Sequence, residues 1–438
     1  MRKETHYFDV QPQIVRAGRQ ATITVRPRFD GRWSRAGDAL RVSVIPMEGR
    51  PRQSLHPASP GDCPRASEQK LVYPVEGALQ VQYAFEGEGE YVLLIETTGE
   101  EKSRLLADLR LFALEDDLFG RLPFKGDLHI HSAYSDGLEP PAYVAAACRR
   151  IGLDFMAVTD HRKHTPSLEA MAAFEGVAHD LRIYPGEEVH PPDNPVHIVN
   201  FGGRFSINDL FASAAYRAEV KAIAATLADL PAGADPYPLA SCIWCFDKIR
   251  AAGGMGVFCH PDWFSRYRYD VPGYLAALLF ERQPFDAVEL LGGYPLHKIE
   301  SNRLQAARYH EARASGKRIP IVGVSDAHGC ERGDLFGWYY TVVFAPSSDL
   351  ADLIQSIKDL YSVAVEAMPA DMPRAHGPYR LVKYAQFLLR EIFPQHDELC
   401  VEEGRLMLAH LAGDRAAAGA LAGLQGRTAA LYRRLWDG

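Results

Sequence analysis

The stretch GDLHIHSAYSDG, residues 126–137, carries two histidines two positions apart, His129 and His131, and then a carboxylate, Asp136. If residues 127–131 form a β-strand, side chains alternate between its faces, so both imidazoles point one way and Ile130 the other. Two neutral imidazoles side by side at a strand end make adjacent ligands for Zn, Fe, Ni or Cu. Residues 132–137 read as the loop after the strand, with Asp136 placed to curl back over its end. The pair by itself is ambiguous. A chain with 16 histidines produces a His-x-His by chance, and a hydrogen-bonded core pair has the same pattern.

Working outward, the same kind of ending recurs. LDFMAVTDH (153–161) ends in Asp160 and His161, and LRIYPGEEVH (181–190) ends in Glu187, Glu188 and His190. VHIVNFGG (196–203) opens with His197, MGVFCHPDW (255–263) carries His260, and IPIVGVSDAHG (319–329) ends in Asp326 and His328. FDAVELLGG (285–293) is a further apolar run. Helical patterns over 140–151, 245–254 and 301–316 separate these runs, as in βα units of a parallel sheet or barrel. In a parallel barrel such strand ends converge on one face, so His129 and Asp326 would meet in one pocket. Chance accounts for one or two such endings and poorly for the series.

The rest of the chain frames this segment. Residues 1–120 read as β: ATITVRPRF, LRVSVIPM, LQVQYAF and EYVLLIET are short alternating or apolar runs, as in a small sandwich. Arg16-Ala17-Gly18 reads as a turn feeding the first strand, and 50–69, rich in Pro, Ser and charge, as a long loop. The segment of alternating strand and helix patterns spans 121–366 with a helical insertion at about 205–245, and 367–438 reads as a helical appendage suited to a subunit interface of a homo-oligomer. The 438 residues are 47% hydrophobic with net charge -8 and no long basic run, which argues against a nucleic-acid surface built on bulk charge. Seven scattered cysteines and a start without an apolar signal region point to the cytoplasm. No apolar run approaches the roughly 20 residues of a membrane helix.

The set GDLHIHSAYSDG, AVTDH, GEEVH, HIVNF, CHP and GVSDAHG, in this order over residues 123–346, resembles the polymerase and histidinol phosphatase (PHP) family of metallohydrolases. The resemblance implies an irregular, TIM-like (β/α)7 barrel with two or three divalent metals (Zn, Mn or Fe) and hydrolysis of phosphate mono- or diesters. It implies that His129, His131, Glu188 and Asp326 hold a first metal, that Glu188 bridges to a second completed by His197 and His260, and that Asp136, His161 and His328 hold a third. Asp136 stands where some relatives have histidine, and His190 where many have a small residue. A β-sandwich ahead of the barrel also resembles a branch associated with carbamate and ester cleavage. Glu188 suits the motif's spacing better than Glu187, and the two face opposite ways on a strand.

Such a site lowers the pKa of water to about 7 and clamps the oxygens of an in-line displacement. His161, Asp326 and His328 are then the candidate catalytic residues, and Asp160 an orienting carboxylate. Candidate substrate contacts are His190, Arg162 and Arg266, with Lys163, His164 and Arg268 as further basic residues and Tyr134 and Trp263 as stacking rings. Cys242 and Cys245 form a CxxC that would be redox-active at a helix start, but their apolar surroundings favour packing. The function expected is a metal-dependent phosphoesterase acting on a small phosphorylated metabolite or nucleotide. The alternatives are a carbamate or carboxyl ester hydrolase on the same barrel and a non-catalytic metal-holding module.

Overall fold

The computed structural model describes residues 6–29, 39–48, 69–98, 104–265 and 267–436. Most of the loop expected over 50–69 lies outside the described residues, as does Arg266. The chain forms two compact units, one of residues 1–122, 383–396 and 426–438, the other of residues 123–382 and 397–425. The segment 367–438, expected as one appendage, is thus divided between them.

In the first unit, β1 (Phe8–Gln11), β2 (Ile14–Arg16), β3 (Arg19–Pro27), β4 (Leu40–Pro46), β5 (Gln69–Val72), β6 (Leu79–Phe85), β7 (Gly89–Thr97) and β8 (Leu105–Leu114) form two sheets, β1-β3-β6 and β2-β8-β7-β4-β5. Along β6, Leu79, Val81, Tyr83 and Phe85 point inward and Gln80, Gln82 and Ala84 outward, the period-2 pattern of a sheet with one buried face. Side chains of both sheets, among them Ile23, Val25, Leu93, Ile95 and Leu109, share one apolar cluster. Each such buried aliphatic contributes about 1.5–3 kcal/mol. The unit is not all β. Phe112 on β8 packs against Tyr384 and Phe387, centroids 5.0 and 5.3 Å away, and these aromatics draw helical residues 383–396 into it. The Arg16–Gly18 turn feeds the third strand rather than the first.

The remaining strands are β9 (Leu122–Asp127), β10 (Phe155–Ala157), β11 (Arg182–Tyr184), β12 (Gly186–Val189), β13 (Ile198–Phe201), β14 (Met255–Phe258), β15 (Phe264–Ser265), β16 (Arg268–Tyr269), β17 (Ala287–Leu291), β18 (Ile321–Gly323), β19 (Tyr339–Ala345), β20 (Ser362–Glu366) and β21 (Arg374–His376). They build a six-stranded sheet, β11-β10-β9-β19-β20-β21, a five-stranded sheet, β12-β13-β14-β17-β18, and the small β15-β16 hairpin. Pairing is parallel for β9, β10 and β11 and for β14, β17 and β18, but antiparallel for β12, β13 and β14 and for β19, β20 and β21. The expectation of a parallel barrel therefore needs correction. The link between β12 and β13 holds no crossover helix, and such a link joins antiparallel neighbours.

Two isolated parallel bridges, Ile130 with Ala327 and His161 with Glu188, join the two sheets at the ends that carry the candidate ligands. Between the sheets, Leu128, Phe155, Val199, Val257, Val322 and Val343 fill a common core. The expected insertion contains a 3-10 turn (Asn208–Ala212), the helix Ala214–Thr226 and the start of the helix Tyr237–Ala251. Cys242 and Cys245 sit in the middle of that last helix and are fully buried, so the CxxC does not open a helix. Helix Pro141–Arg150 and β9 are tied to residues 397–425 by charge: buried Arg149, which also pairs with Asp154 at 3.1 Å, pairs with Glu403 at 2.7 Å, and Lys125 on β9 pairs with Asp397 at 2.8 Å.

Candidate metal centre

Regular strand β9 stops at Asp127, and the His-x-His follows in an extended segment beyond it. Asp127 accepts from the backbone N–H of His129 and of Ser325, His131 N–H donates to Ala327 O at 3.0 Å, and Asp326 N–H donates to His129 O at 2.8 Å. These bonds lay the 129–131 and 325–327 segments side by side. Asp326 (φ 50°) and His260 (φ 28°) adopt left-handed backbone, uncommon for residues other than glycine and concentrated at functional sites. Gly137 lets the loop fold back over His131: a Cβ there would lie 2.7 Å from the His131 carbonyl.

Glu188 is the hub. Its Oε1 lies 2.8 Å from His197 Nδ1 and 3.3 Å from His260 Nε2. Its Oε2 lies 3.7 Å from His129 Nε2, 3.7 Å from His131 Nε2 and 3.4 Å from His190 Nε2, and also contacts His161 Nδ1. Asp326 Oδ1 is 2.8 Å from His131 Nε2 and 3.3 Å from His129 Nε2. Asp136 faces His161 Nε2 at 3.4 Å and His328 Nε2 at 3.3 Å. The groups whose ligand atoms lie within 4.8 Å of one another include His129 with His131 and Asp326; His129 with Glu188 and His260; and His131 with Asp136, His161 and His328.

All nine residues expected as ligands therefore come together. The grouping differs in that His131 also joins the Asp136 group and His129 the Glu188 group. His190, expected as a substrate contact, lies inside the cluster, stacked on His197 with centroids 3.8 Å apart. Asp136, His161, His190, His197, His260, Asp326 and His328 line a cavity of about 340 Å³ together with Trp263, Gly293, Tyr294, Pro295, Lys298 and Leu335.

The donor set fits divalent cations. His129 Nε2, His197 Nδ1 and Glu188 Oε2 are buried and make no hydrogen bond, although each faces another ligand atom within 4 Å. Converging lone pairs left without protons to share are what a cation satisfies, and an imidazole–carboxylate set suits Zn, Mn or Fe. Burial works to raise the Glu188 carboxyl, but the His129 charge and the adjacent His161 and His190 rings hold it well below the usual carboxylate range. Asp326 is likewise held low by His129 and His131 against burial. Burial pushes His197 down to about 4 and lowers His131 and His190. Burial also works to lower His129, but Asp326, Cys259 and Glu188 hold it well above its ordinary value. Against the same effect, Glu188 raises His161 and His260.

Supporting groups surround the cluster. Asp160 accepts from the backbone N–H of Ser132 at 2.8 Å and from both the Ser132 and Ser135 hydroxyls, and Ser135 Oγ lies 3.4 Å from His131 Nδ1. Asp160 thus acts on His131 through Ser135. Glu187 faces away, accepting from Asn200, Ser206, Asn208 and the Ile207 N–H. Sequence reasoning passed over Glu289 on β17, which is fully buried with Oε2 3.4 Å from His129 Nδ1. A carboxylate inside an otherwise apolar strand was the available signal. It also passed over Lys298, for which the surrounding GGYPLHKIE offers no signal.

Arg162 does not line the cavity: its side chain is exposed, and its backbone N–H donates to Glu188 O at 2.9 Å. Lys163 is exposed and bonds to Tyr134 O, His164 is buried against Gly203 O at 2.8 Å, and Tyr134 pairs with Glu169. Arg268 is exposed on β16. Of the two expected stacking rings, Trp263 lines the cavity and Tyr134 does not.

No family model matches the chain, and no curated protein matches it. Solved structures similar to it include a two-domain protein from Bacteroides vulgatus described as containing a predicted PHP-like metal-dependent phosphoesterase (18% identity, TM-score 0.38), of which the match covers 65% and of this chain 56%. A protein from Bifidobacterium adolescentis whose metal-dependent phosphoesterase assignment is itself a proposal shows 21% identity over 48% of this chain and 89% of its own, with TM-score 0.32. An amidohydrolase from Chromobacterium violaceum shows 22% identity over 47% and 87%, with TM-score 0.28. The chain spans about two thirds of the Bacteroides protein's length. Scores of this size carry no chemistry across to this chain, which is argued from its own residues.

Proposed function

We propose that this chain is a metal-dependent hydrolase of the PHP type that cleaves a phosphate ester of a small molecule. The observation that carries the reading is the convergence of nine His, Asp and Glu side chains from separate segments in one cluster, six of which line one cavity, with buried ligand atoms that no hydrogen bond satisfies. The two bridges that join the sheets at their ligand-bearing ends support reading β9, β10, β12, β13, β14, β17 and β18 as the ring of an irregular (β/α)7 barrel. Buried thiols that form no disulfide, Cys148, Cys242, Cys245, Cys259 and Cys330, support a cytoplasmic setting.

His129, His131 and Asp326 would hold one divalent ion, Glu188 with His197 and His260 a second, and Asp136, His161 and His328 a third. Bound there, Zn, Mn or Fe supplies positive charge for the phosphoryl oxygens and lowers the pKa of water at the site. The chain's own contribution is placement. Glu188 holds imidazoles on both of its oxygens, Asp326 anchors the His-x-His pair, and Asp160 sets His131 through Ser135. His161 and His328, with side chains 29% and 26% exposed, face the cavity and stand where the leaving oxygen would emerge. Water adds to phosphorus as the ester P–O bond breaks, and the alcohol departs with a proton.

The test is hydrolysis by metal-loaded protein of matched aryl phosphomonoester, phosphodiester and carboxyl ester substrates beside Asp326→Ala. Turnover of a phosphate substrate that the variant loses supports the reading. Turnover confined to the carboxyl ester replaces it with the ester or carbamate hydrolase.

A further inference from the structure

Lys298, at the end of a 3-10 turn (Leu296–Lys298), is the one lysine or arginine among the described residues that line the cavity. Its ammonium lies 5.4 Å from the ring centroid of Trp263 and 5.7 Å from that of Phe264, and no described carboxylate forms an ion pair with it. Trp263 in turn lies 5.5 Å from the His260 ring. Trp263 therefore touches the ligand cluster on one contact and the ammonium on another. Tyr294, Pro295 and Leu335 add an apolar wall. An ammonium beside aromatic rings and outside any ion pair keeps N–H donors available for an anion.

The scissile phosphate does not need this group, because its charge is met at the ligand cluster. We propose that Lys298 and Trp263 form a second subsite, which binds a further anionic group of the substrate, a carboxylate or second phosphate, while a planar or apolar spacer lies on Trp263. This rests on the phosphoesterase reading and narrows it: the preferred substrate is a small phosphate ester that carries a second negative charge on its leaving group.

The subsite is tested by calorimetric binding of phenylphosphonate and of 3- and 4-carboxyphenylphosphonate to metal-loaded wild-type, Lys298→Met and Lys298→Arg proteins. A charge-assisted hydrogen bond at a half-exposed site predicts about tenfold tighter binding of one carboxylated isomer by wild type. Lys298→Met removes that advantage without changing phenylphosphonate affinity, and Lys298→Arg keeps most of it. Equal affinities in wild type, or a loss in Lys298→Met shared by all three ligands, overturns the subsite; the shared loss would place Lys298 on the reacting phosphate instead. The matching phosphate esters are then assayed for phosphate release. Discrimination in binding without hydrolysis of any ester sinks the phosphoesterase reading and leaves the subsite standing.

Discussion

Glu289 Oε2 lies 3.4 Å from His129 Nδ1, with both side chains buried in the second unit. The carboxylate orients that ring: with Nδ1 held by Glu289, His129 presents Nε2 to Asp326 and Glu188. Gly292 permits this placement, since a Cβ there would lie 2.4 Å from Glu289 Oε1. Glu289→Gln is expected to weaken metal affinity by about 10–100-fold, the usual effect of losing such an orienting partner. Competition with a metal-binding dye measures it, and circular dichroism checks that the fold persists. Unchanged affinity would show that Glu289 is only a buried, structural carboxylate.

Glu188 touches six imidazoles, so no other single side chain links as much of the cluster. Glu188→Gln keeps the shape and removes the charge. It should lower bound metal, read by plasma emission spectroscopy, and reduce hydrolysis by about 100-fold or more, beyond the range for orienting partners. Retention of both metal and activity would remove Glu188 from the centre.

Chelation should destabilise the second unit. An ion that binds only the folded state stabilises it by about 2.7 kcal/mol at 100 times its Kd. Thermal unfolding should shift down with a chelator and return when Zn or Mn is restored. A midpoint indifferent to both would argue that the cluster holds no ion.

Arg149 is fully buried beside Glu403, Asp154 and Asp180. Arg149→Met strands those carboxylates without their counter-charge, and breaking a buried pair in this way costs about 3–5 kcal/mol. Denaturant titration reads the loss. Adding Glu403→Gln to the same chain should recover part of it, because one of the stranded charges is then gone.

The CxxC thiols should be inert in the folded protein. Cys242 is buried, and burial pushes its thiol up to about 12. At pH 8 the folded chain leaves almost no thiolate there, so iodoacetamide followed by peptide mapping should find Cys242 and Cys245 unmodified until denaturant is added. Rapid native labelling would instead reveal local opening of the helix Tyr237–Ala251.

The candidate ligands were legible because His and carboxylate residues recur near the ends of successive apolar runs, while their assignment to metals came from the resemblance to the PHP family; Asp136 lies in the loop beyond β9 rather than at a strand end. In the first unit β3, β4, β6 and β7 were legible as runs, whereas the short β1, β2 and β5 were not read, nor was β8, where Asp108 and Arg110 interrupt the run though both simply alternate with its buried residues. Strand alternation says that only one of Glu187 and Glu188 enters the pocket, the motif's spacing chose Glu188, and Glu187 holds Asn200, Ser206 and Asn208 on the opposite face.

What local sequence does not encode is which distant groups share a wall. Antiparallel pairing within both sheets, Glu289 behind His129, His190 stacked on His197, and Lys298 over Trp263 all depend on how separate segments are brought together. The division of the C-terminal helices belongs with them, since any amphipathic helix has an apolar face, and only packing decides which core receives it. The sequence by itself determined the chemistry of the donor set, because residue type and strand-end position are local properties. The tertiary structure alone decided how those donors are grouped, what orients them and which cation faces the cavity, because these follow from chain crossings that bring separate segments within a few ångströms.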